Sequence, residues 1–542
     1  MICKPFSKVL FWVFVCVIWT YALPSKAKQL HNQAVIDAFY MEQDGEPLWL
    51  RGTRLNKAGK TLHKALQNAW HHGLNPNSYN VATIDLLISH DEYGDRSSEE
   101  LALKLEVLLT DGYVRYVQDL SGMRVNAYEL GLRQKDWLQR ISAQDALALL
   151  PEDLDDIDEF LERRGPQTAT YQKLKAELIS LVDNSDENLT EFEPISIRRT
   201  LYPGRKDDNV PALRLRLGGQ EPSQEELYLY DSLLVQAVEA FQAEHGLKPD
   251  GIVGKQTLHA LNHGKEDKIT QLIVNMERLR WVPDEKPERF VVVNIPSARL
   301  WAIDNGSVAF TMPVIVGRKK RPTLSFVTKI HGVRFNPTWT VPPTIKEEDI
   351  LPSLLENPSY LADKGMELFD GYGRDAPTLD PMVVDWASLS KQELNNLNMV
   401  QVPGAHNPLG LIRILMPNEH NIYLHDTNNK SLFYKADRAQ SSGCVRMQDP
   451  ERMAQFALKN RKGWANGDLK KIIASKKMTD LYTNDHVTVY LLYYTVWLGE
   501  AGQIIYGRDI YNNDQRLLES LKKLDGVPII GDNGIILSTS AD

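Results

Sequence analysis

The spacing of the apolar residues changes once along this chain, and that change limits what it can fold into. Up to about Ile195 apolar side chains recur three and four residues apart, as in Leu101-Ala102-Leu103-Lys104-Leu105-Glu106-Val107-Leu108-Leu109 and Tyr171 to Leu181, the spacing of one helix face. From about Phe290 strands take over: Phe290-Val291-Val292-Val293-Asn294-Ile295, Leu300-Trp301-Ala302-Ile303, an Asn305-Gly306 hairpin turn, and Phe310 to Val316 returning. A helical part and a mainly β part within 542 residues predict a multidomain α+β protein, since a single core rarely grows past about 250–300 residues.

A net charge of −9 argues against a nucleic-acid partner. The N-terminus runs Lys4, Lys8, an uncharged apolar stretch from Val9 to Leu23, then Pro24, Ser25, Lys26 and Ala27, the order of a secretory signal over residues 1–27. That stretch falls short of the ~20 residues of a spanning helix, which favours a cleaved signal over an uncleaved membrane anchor. Val13, Phe14 and Val15 before Cys16 lack the small residue of a lipidation site. Cleavage near Ala27 removes Cys3 and Cys16 and leaves Cys444 alone. A solitary thiol in an exported protein cannot form an internal disulfide, so a chemical role is expected of it.

Residues 28–206 read as a helical domain without a catalytic constellation. His71-His72 lacks partners at metal-ligand spacing, and the acidic run from Pro151 to Glu162 reads as a solvated face. Over 207–263 an amphipathic helix from Leu233 ends at Gly246, and Asp250-Gly251-Ile252-Val253-Gly254 turns into Thr257-Leu258-His259-Ala260-Leu261. This pattern resembles the three-helix peptidoglycan-binding module. Residues 264–288 read as a linker, 289–515 as the β domain, and 516–542 as a tail. Within the β domain, about Ile345 to Leu397 is rich in Asp, Leu, Pro and Gly and reads as an inserted helical and loop lid.

The chemistry concentrates in Tyr423-Leu424-His425-Asp426-Thr427 and Ser441-Ser442-Gly443-Cys444-Val445-Arg446-Met447. On extended backbone Cys444 shares a face with Arg446, and Tyr423 shares one with His425. Arg446 is expected to favour the thiolate and to receive a substrate carboxylate. His425 is the candidate base. Gly443 permits a backbone that aims amides at an oxyanion, to which Tyr423 or Ser442 could add a hydroxyl. Asp449-Pro450 caps the helix that follows.

A histidine, a short spacer and then Ser441-Ser442-Gly443-Cys444-Val445-Arg446 resemble the YkuD-type L,D-transpeptidase catalytic domain; Ser442 stands where many members have a second histidine. Phe335-Asn336-Pro337-Thr338-Trp339-Thr340-Val341-Pro342, Asp349-Ile350-Leu351-Pro352 and Gln401-Val402-Pro403-Gly404-Ala405-His406-Asn407-Pro408-Leu409-Gly410 narrow the resemblance to the large YcbB-type subgroup. The resemblance implies a periplasmic enzyme that forms 3→3 cross-links between peptidoglycan tetrapeptide stems and is a target of carbapenems. Cys444 would be the nucleophile and His425 the base, with the Gly443 and Cys444 amides as oxyanion hole. Arg446, Tyr423, Ser442, Trp339 and Asn407 would contact substrate, the lid would cap it, and no cofactor or metal would be needed. Wall-synthesis proteins are the other expected partners. Two alternatives stay open, an L,D-carboxypeptidase using water as acceptor and a noncatalytic wall-binding scaffold. A papain-like peptidase is excluded by the order of Cys and His, and a zinc amidase by the lack of ligand motifs.

Overall fold

In the computed structural model the described residues are 32–535, without 93–97, 184–192, 219–222, 224–225, 374, 405, 466, 525, 529 and 532–533. The expected signal, with Cys3 and Cys16, lies outside them. Among the described residues no helix is long and apolar enough to cross a membrane. Contacts divide the chain into two units, Lys286–Tyr494 and the remainder on either side of it.

In the flanking unit the three- and four-residue spacing does build helices. The longest, Ser98–Ser121, sets Leu105, Leu109, Tyr113, Val117 and Leu120 into a core with Trp49, Leu62, Leu66 and Tyr79. Glu106 is buried on the same helix, and its carboxylate accepts the Tyr40 hydroxyl and the Leu48 N–H, each at 2.6 Å, which offsets its desolvation. His72 is likewise a packed residue, with Nδ1 3.0 Å from the Tyr171 hydroxyl.

Helices Val210–Arg216, Ser232–Glu244 and Lys255–Asn262 gather around Leu213, Tyr230, Leu234, Val238 and Val253. Gln242 is the hub of this small domain. Its Oε1 accepts the Asp250 and Gly251 N–H groups at 3.0 and 2.9 Å, and its Nε2 donates to Ile252 O and Thr257 Oγ1, both at 3.0 Å. The turn that looks like a string of isolated signals in sequence is thus wired to one buried amide.

Two expectations are corrected here. Residues 264–288 are not a linker: Lys265–Arg280 is a helix with Asn275, Glu277 and Arg280 buried. The carboxylate of Glu277 meets Arg124 Nε at 2.7 Å, Arg280 Nη1 at 2.8 Å and Trp281 Nε1 at 3.0 Å, so a polar sequence packs inside by pairing its charges. The end of the chain is not a tail either. Residues from Thr495 onward group with the helical unit, where Asn513–Lys523 buries Leu517 and Leu521 and Asp514 pairs with Arg278.

Lys286–Tyr494 holds thirteen strands: β1 (Arg289–Asn294), β2 (Arg299–Asp304), β3 (Ser307–Gly317), β4 (Phe326–Phe335), β5 (Trp339–Thr340), β6 (Met366–Asp370), β7 (Thr378–Leu379), β8 (Leu397–Gln401), β9 (Ile412–Leu415), β10 (Leu424–His425), β11 (Ala439–Ser441), β12 (Val445–Met447) and β13 (Thr479–Leu492). Nine form one sheet in the order β11-β3-β12-β10-β9-β4-β13-β1-β2, and a further β2–β3 pairing closes it into a ring. Closure leaves few open edges. The helix Pro450–Leu458, begun by the Asp449 side chain accepting the Arg452 N–H at 3.0 Å, packs on this sheet.

The insert is more structured than a helical and loop lid. Strands β5, β6, β7 and β8 make a four-stranded antiparallel sheet, and Val341, Ile350, Leu354, Leu361, Leu368, Trp386 and Met399 give the insert its own core. One turn of π-helix, Lys346–Ile350, faces the sheet's loops, and the buried Lys346 Nζ donates to Leu397 O at 2.7 Å, Asn395 O at 3.1 Å and Leu394 O at 3.2 Å.

Candidate active site

Parallel pairing of β10 with β12 sets Leu424 beside Val445 and His425 beside Arg446. Leu424 and Val445 are fully buried, so the other face carries His425 and Arg446, and two residues before them Tyr423 and Cys444. The sheet therefore assembles four predicted residues on one face.

The turn from β11 into β12 is held by two hydroxyls. Ser441 Oγ donates to Cys444 O at 2.6 Å and accepts the Gly443 N–H at 3.1 Å. Thr323 Oγ1 donates to Gly443 O at 2.7 Å and accepts the Gly317 N–H at 2.8 Å. Gly443 has φ 114°, a conformation that L side chains avoid. Its amide is committed to Ser441, which corrects its expected place in an oxyanion hole. Among the described residues no hydrogen bond takes up the Cys444 N–H.

His425 is buried, and its Nδ1 bonds the Asp426 carbonyl oxygen. A carbonyl can only accept, so Nδ1 carries the proton and Nε2 is the basic nitrogen. Asp426 is itself fixed: its carboxylate accepts the Thr427 N–H at 2.7 Å and the Leu411 N–H at 2.9 Å and pairs with Lys430. Burial, then Arg446 and Arg413, push His425 down to about 3, so it is neutral at ordinary pH.

Arg446 does not produce a resting thiolate. Burial pushes the Cys444 thiol up, and a backbone hydrogen bond from Tyr423 and the charges of Arg413 and Arg446 only partly oppose it. The protonated sulfur donates to Asn421 O at 3.6 Å rather than to the imidazole. Cys444 and His425 rest as a neutral pair.

The remaining predicted residues separate. Tyr423 donates its hydroxyl to Asn421 Oδ1 at 3.2 Å, and its ring lies beneath the Arg413 guanidinium at 3.7 Å. Ser442 accepts from Arg321 Nη1 at 3.2 Å, and the same Arg321 binds Glu348 and Asp349 of the insert at 2.5 and 2.7 Å. Trp339, on β5, packs against the insert's core. Asn407 is not available to substrate: it is fully buried, Nδ2 donates to Pro337 O at 2.9 Å, and Oδ1 accepts the Leu409 N–H at 2.9 Å.

Arg413, Thr323 and Asn421 were missed in the sequence. Ile412-Arg413-Ile414 does alternate as a strand with one cation on its outer face, but which strands flank it is a matter of topology.

Residues 288–496 match the model described as "L,D-transpeptidase catalytic domain" (YkuD), 34–178 "Scaffold domain" and 215–261 "Putative peptidoglycan binding domain". A Haemophilus influenzae protein named "Putative L,D-transpeptidase" is 35% identical over 254 residues, 47% of this chain and 50% of that protein, so the match spans about half the length of the relative. Solved structures of L,D-transpeptidases from Xylanimonas cellulosilytica and Stackebrandtia nassauensis align at 14% and 13% identity, covering 55% and 54% of this chain and 100% and 94% of theirs, with TM-scores of 0.17 and 0.18. At those TM-scores neither bears on the assignment. The three domain matches, in this order, give the chain a scaffold domain, a peptidoglycan-binding domain and a YkuD-type L,D-transpeptidase catalytic domain.

Proposed function

We propose that this protein is exported to the periplasm and joins peptidoglycan stems by 3→3 cross-links through a thioester on Cys444. The observation that supports this most is the shared face of Cys444 and His425, with Nδ1 of the imidazole fixed so that Nε2 is the nitrogen left to take a proton.

With burial holding the thiol above its usual range and the imidazole down to about 3, an ion pair formed before attack is disfavoured. Proton transfer to Nε2 therefore accompanies attack: the S–H turns from Asn421 O to His425 as sulfur bonds the carbonyl carbon of the third, diamino-acid residue. The oxyanion falls to the Cys444 N–H. Collapse breaks the C–N bond, the imidazolium returns its proton to the departing D-alanine amine, and the thioester remains. The side-chain amine of a second stem then attacks and loses a proton to His425, and the C–S bond breaks as that proton returns to the Cys444 sulfur. Arg446 would hold a donor carboxylate.

Incubation with disaccharide-tetrapeptide and mass spectrometry of the products tests this, with Cys444→Ala alongside. Loss of D-alanine with a 3→3 dimer is expected from the unaltered protein only. Tripeptide without dimer would make the protein an L,D-carboxypeptidase, and unchanged substrate would leave a wall-binding scaffold.

A further inference from the structure

A row of side chains crosses the sheet beside Cys444, and its charges do not balance. By register it reads Ile315 on β3, Arg446 on β12, His425 on β10, Arg413 on β9, Arg334 on β4 and Asp480 on β13. Arg334 is answered within the row, its Nε and Nη2 each 2.7 Å from the Asp480 carboxylate. Arg413 and Arg446 are not. Among the described residues neither has a carboxylate at ion-pair distance, and the Nε of each is buried with no hydrogen-bond partner. Burial holds both guanidiniums below their usual range.

Position distinguishes Arg413 from a stray surface cation. Its Cζ lies 3.7 Å from the centre of the Tyr423 ring, a stack that fixes the plane of the guanidinium. Tyr423 is the strand neighbour of Cys444, so the charge is delivered to the nucleophile from a strand 31 residues away in sequence. Strands lie about 4.8 Å apart, which puts Arg413 and Arg446 on either side of His425 with backbones about 10 Å apart. Two partly buried forks without a carboxylate partner, flanking a thiol and its base, suit carboxylates brought by a ligand.

We propose that Arg413 is a second carboxylate-binding residue of this site, and that with Arg446 it selects acyl donors bearing a free carboxylate on each side of the carbonyl that Cys444 attacks. A stem ending in D-alanine supplies one on the leaving residue. A diamino acid with a second, free carboxyl supplies the other; its amide, or lysine in its place, does not. The donor's identity rests on the transpeptidase reading, whereas the anion site beside Cys444 does not.

Alkylation of Cys444 in the full chain, located by peptide mass, separates the two. Iodoacetate and iodoacetamide each form a C–S bond with loss of iodide and of the thiol proton to buffer, and they differ in one negative charge. The ratio of their rates at Cys444 should exceed that of free cysteine, fall about tenfold in Arg413→Gln, and recover to within about threefold in Arg413→Lys, which keeps the charge and loses the fork. In Arg446→Gln, with Arg413 intact, the ratio should still exceed that of free cysteine. An unchanged ratio in an Arg413→Gln protein of wild-type melting temperature overturns the proposal, and so does a ratio equal to free cysteine in Arg446→Gln. With tetrapeptide donors, Arg413→Gln should raise KM several-fold more for the free-acid stem than for the amidated stem. Equal use of both stems by the unaltered protein overturns the selectivity; turnover of neither refutes the transpeptidase reading while the alkylation ratio still judges the anion site.

Discussion

His425 is pushed toward neutrality by its burial and by two guanidiniums at once. The unfolded chain protonates this imidazole near 6.5 and the folded chain only near 3, so protons favour the unfolded state between those values. Its contribution to stability is complete above pH 6.5 and drains as pH falls toward 3, at roughly 1.4 kcal/mol per pH unit. Chemical denaturation across that range should show His425→Gln lacking this component; parallel curves for the two proteins would mean that the imidazole charges normally. For the same reason kcat/KM of the free enzyme should show no histidine limb between pH 5 and 7. Next to it, Gly410 has φ 60° and no room for a side chain, since a Cβ would come within 2.3 Å of Asp426 Oδ2. Gly410→Ala should cost about 2 kcal/mol or more and slow acylation, because displacing Asp426 displaces the carbonyl that sets the imidazole. A melt and the rate of D-alanine release from the tetrapeptide measure both.

Among the elements, Arg321 ties the insert to the nucleophile's turn. It reaches Glu348, Asp349 and Ser442, but both carboxylates are about two-fifths exposed, and solvent screens such contacts. Arg321→Ala should therefore leave the melting temperature nearly in place and raise hydrogen exchange across 339–401; unchanged exchange there would show that the insert is held otherwise. Lys346 is the contrast. Its side chain is fully buried and donates to three carbonyls and the Tyr372 hydroxyl, and Lys346→Met would remove those bonds, at a cost of about 2–4 kcal/mol. Fluorescence of the buried Trp386 should report that loss as a separate, earlier transition of the insert.

For the whole molecule, the chain leaves the helical unit at Lys286 and returns to it at Thr495. A truncation after Tyr494 would strip Asp514 from the buried Arg278 and Thr495 from Asn275, whose Nδ2 donates to the Thr495 hydroxyl at 2.7 Å. The helical unit should then become protease-sensitive; equal resistance would show that the C-terminal helix is dispensable. This return was illegible in the sequence for a definite reason. The helix Lys265–Arg280 buries Gln271, Asn275, Glu277, Arg278 and Arg280, so hydropathy marks it as exposed while ion pairs and amide bonds keep it inside. The insert's sheet was hidden differently, by strands of two to five residues that are too short for an alternation to register.

What the sequence determined by itself is local: the change of period at Phe290, the capped helix after Asp449, and the glycine turn from Asp250 to Gly254. Each depends on neighbours within about one or two turns of chain, where spacing and backbone preference are enough. Tertiary structure alone decided that Asn407 is spent on the Pro337 carbonyl, that the Gly443 amide is taken by Ser441, that Arg413 stands beside His425, and that burial outweighs the arginines at the thiol. Strand order chooses neighbours that sequence distance does not, and desolvation depends on everything packed around a group.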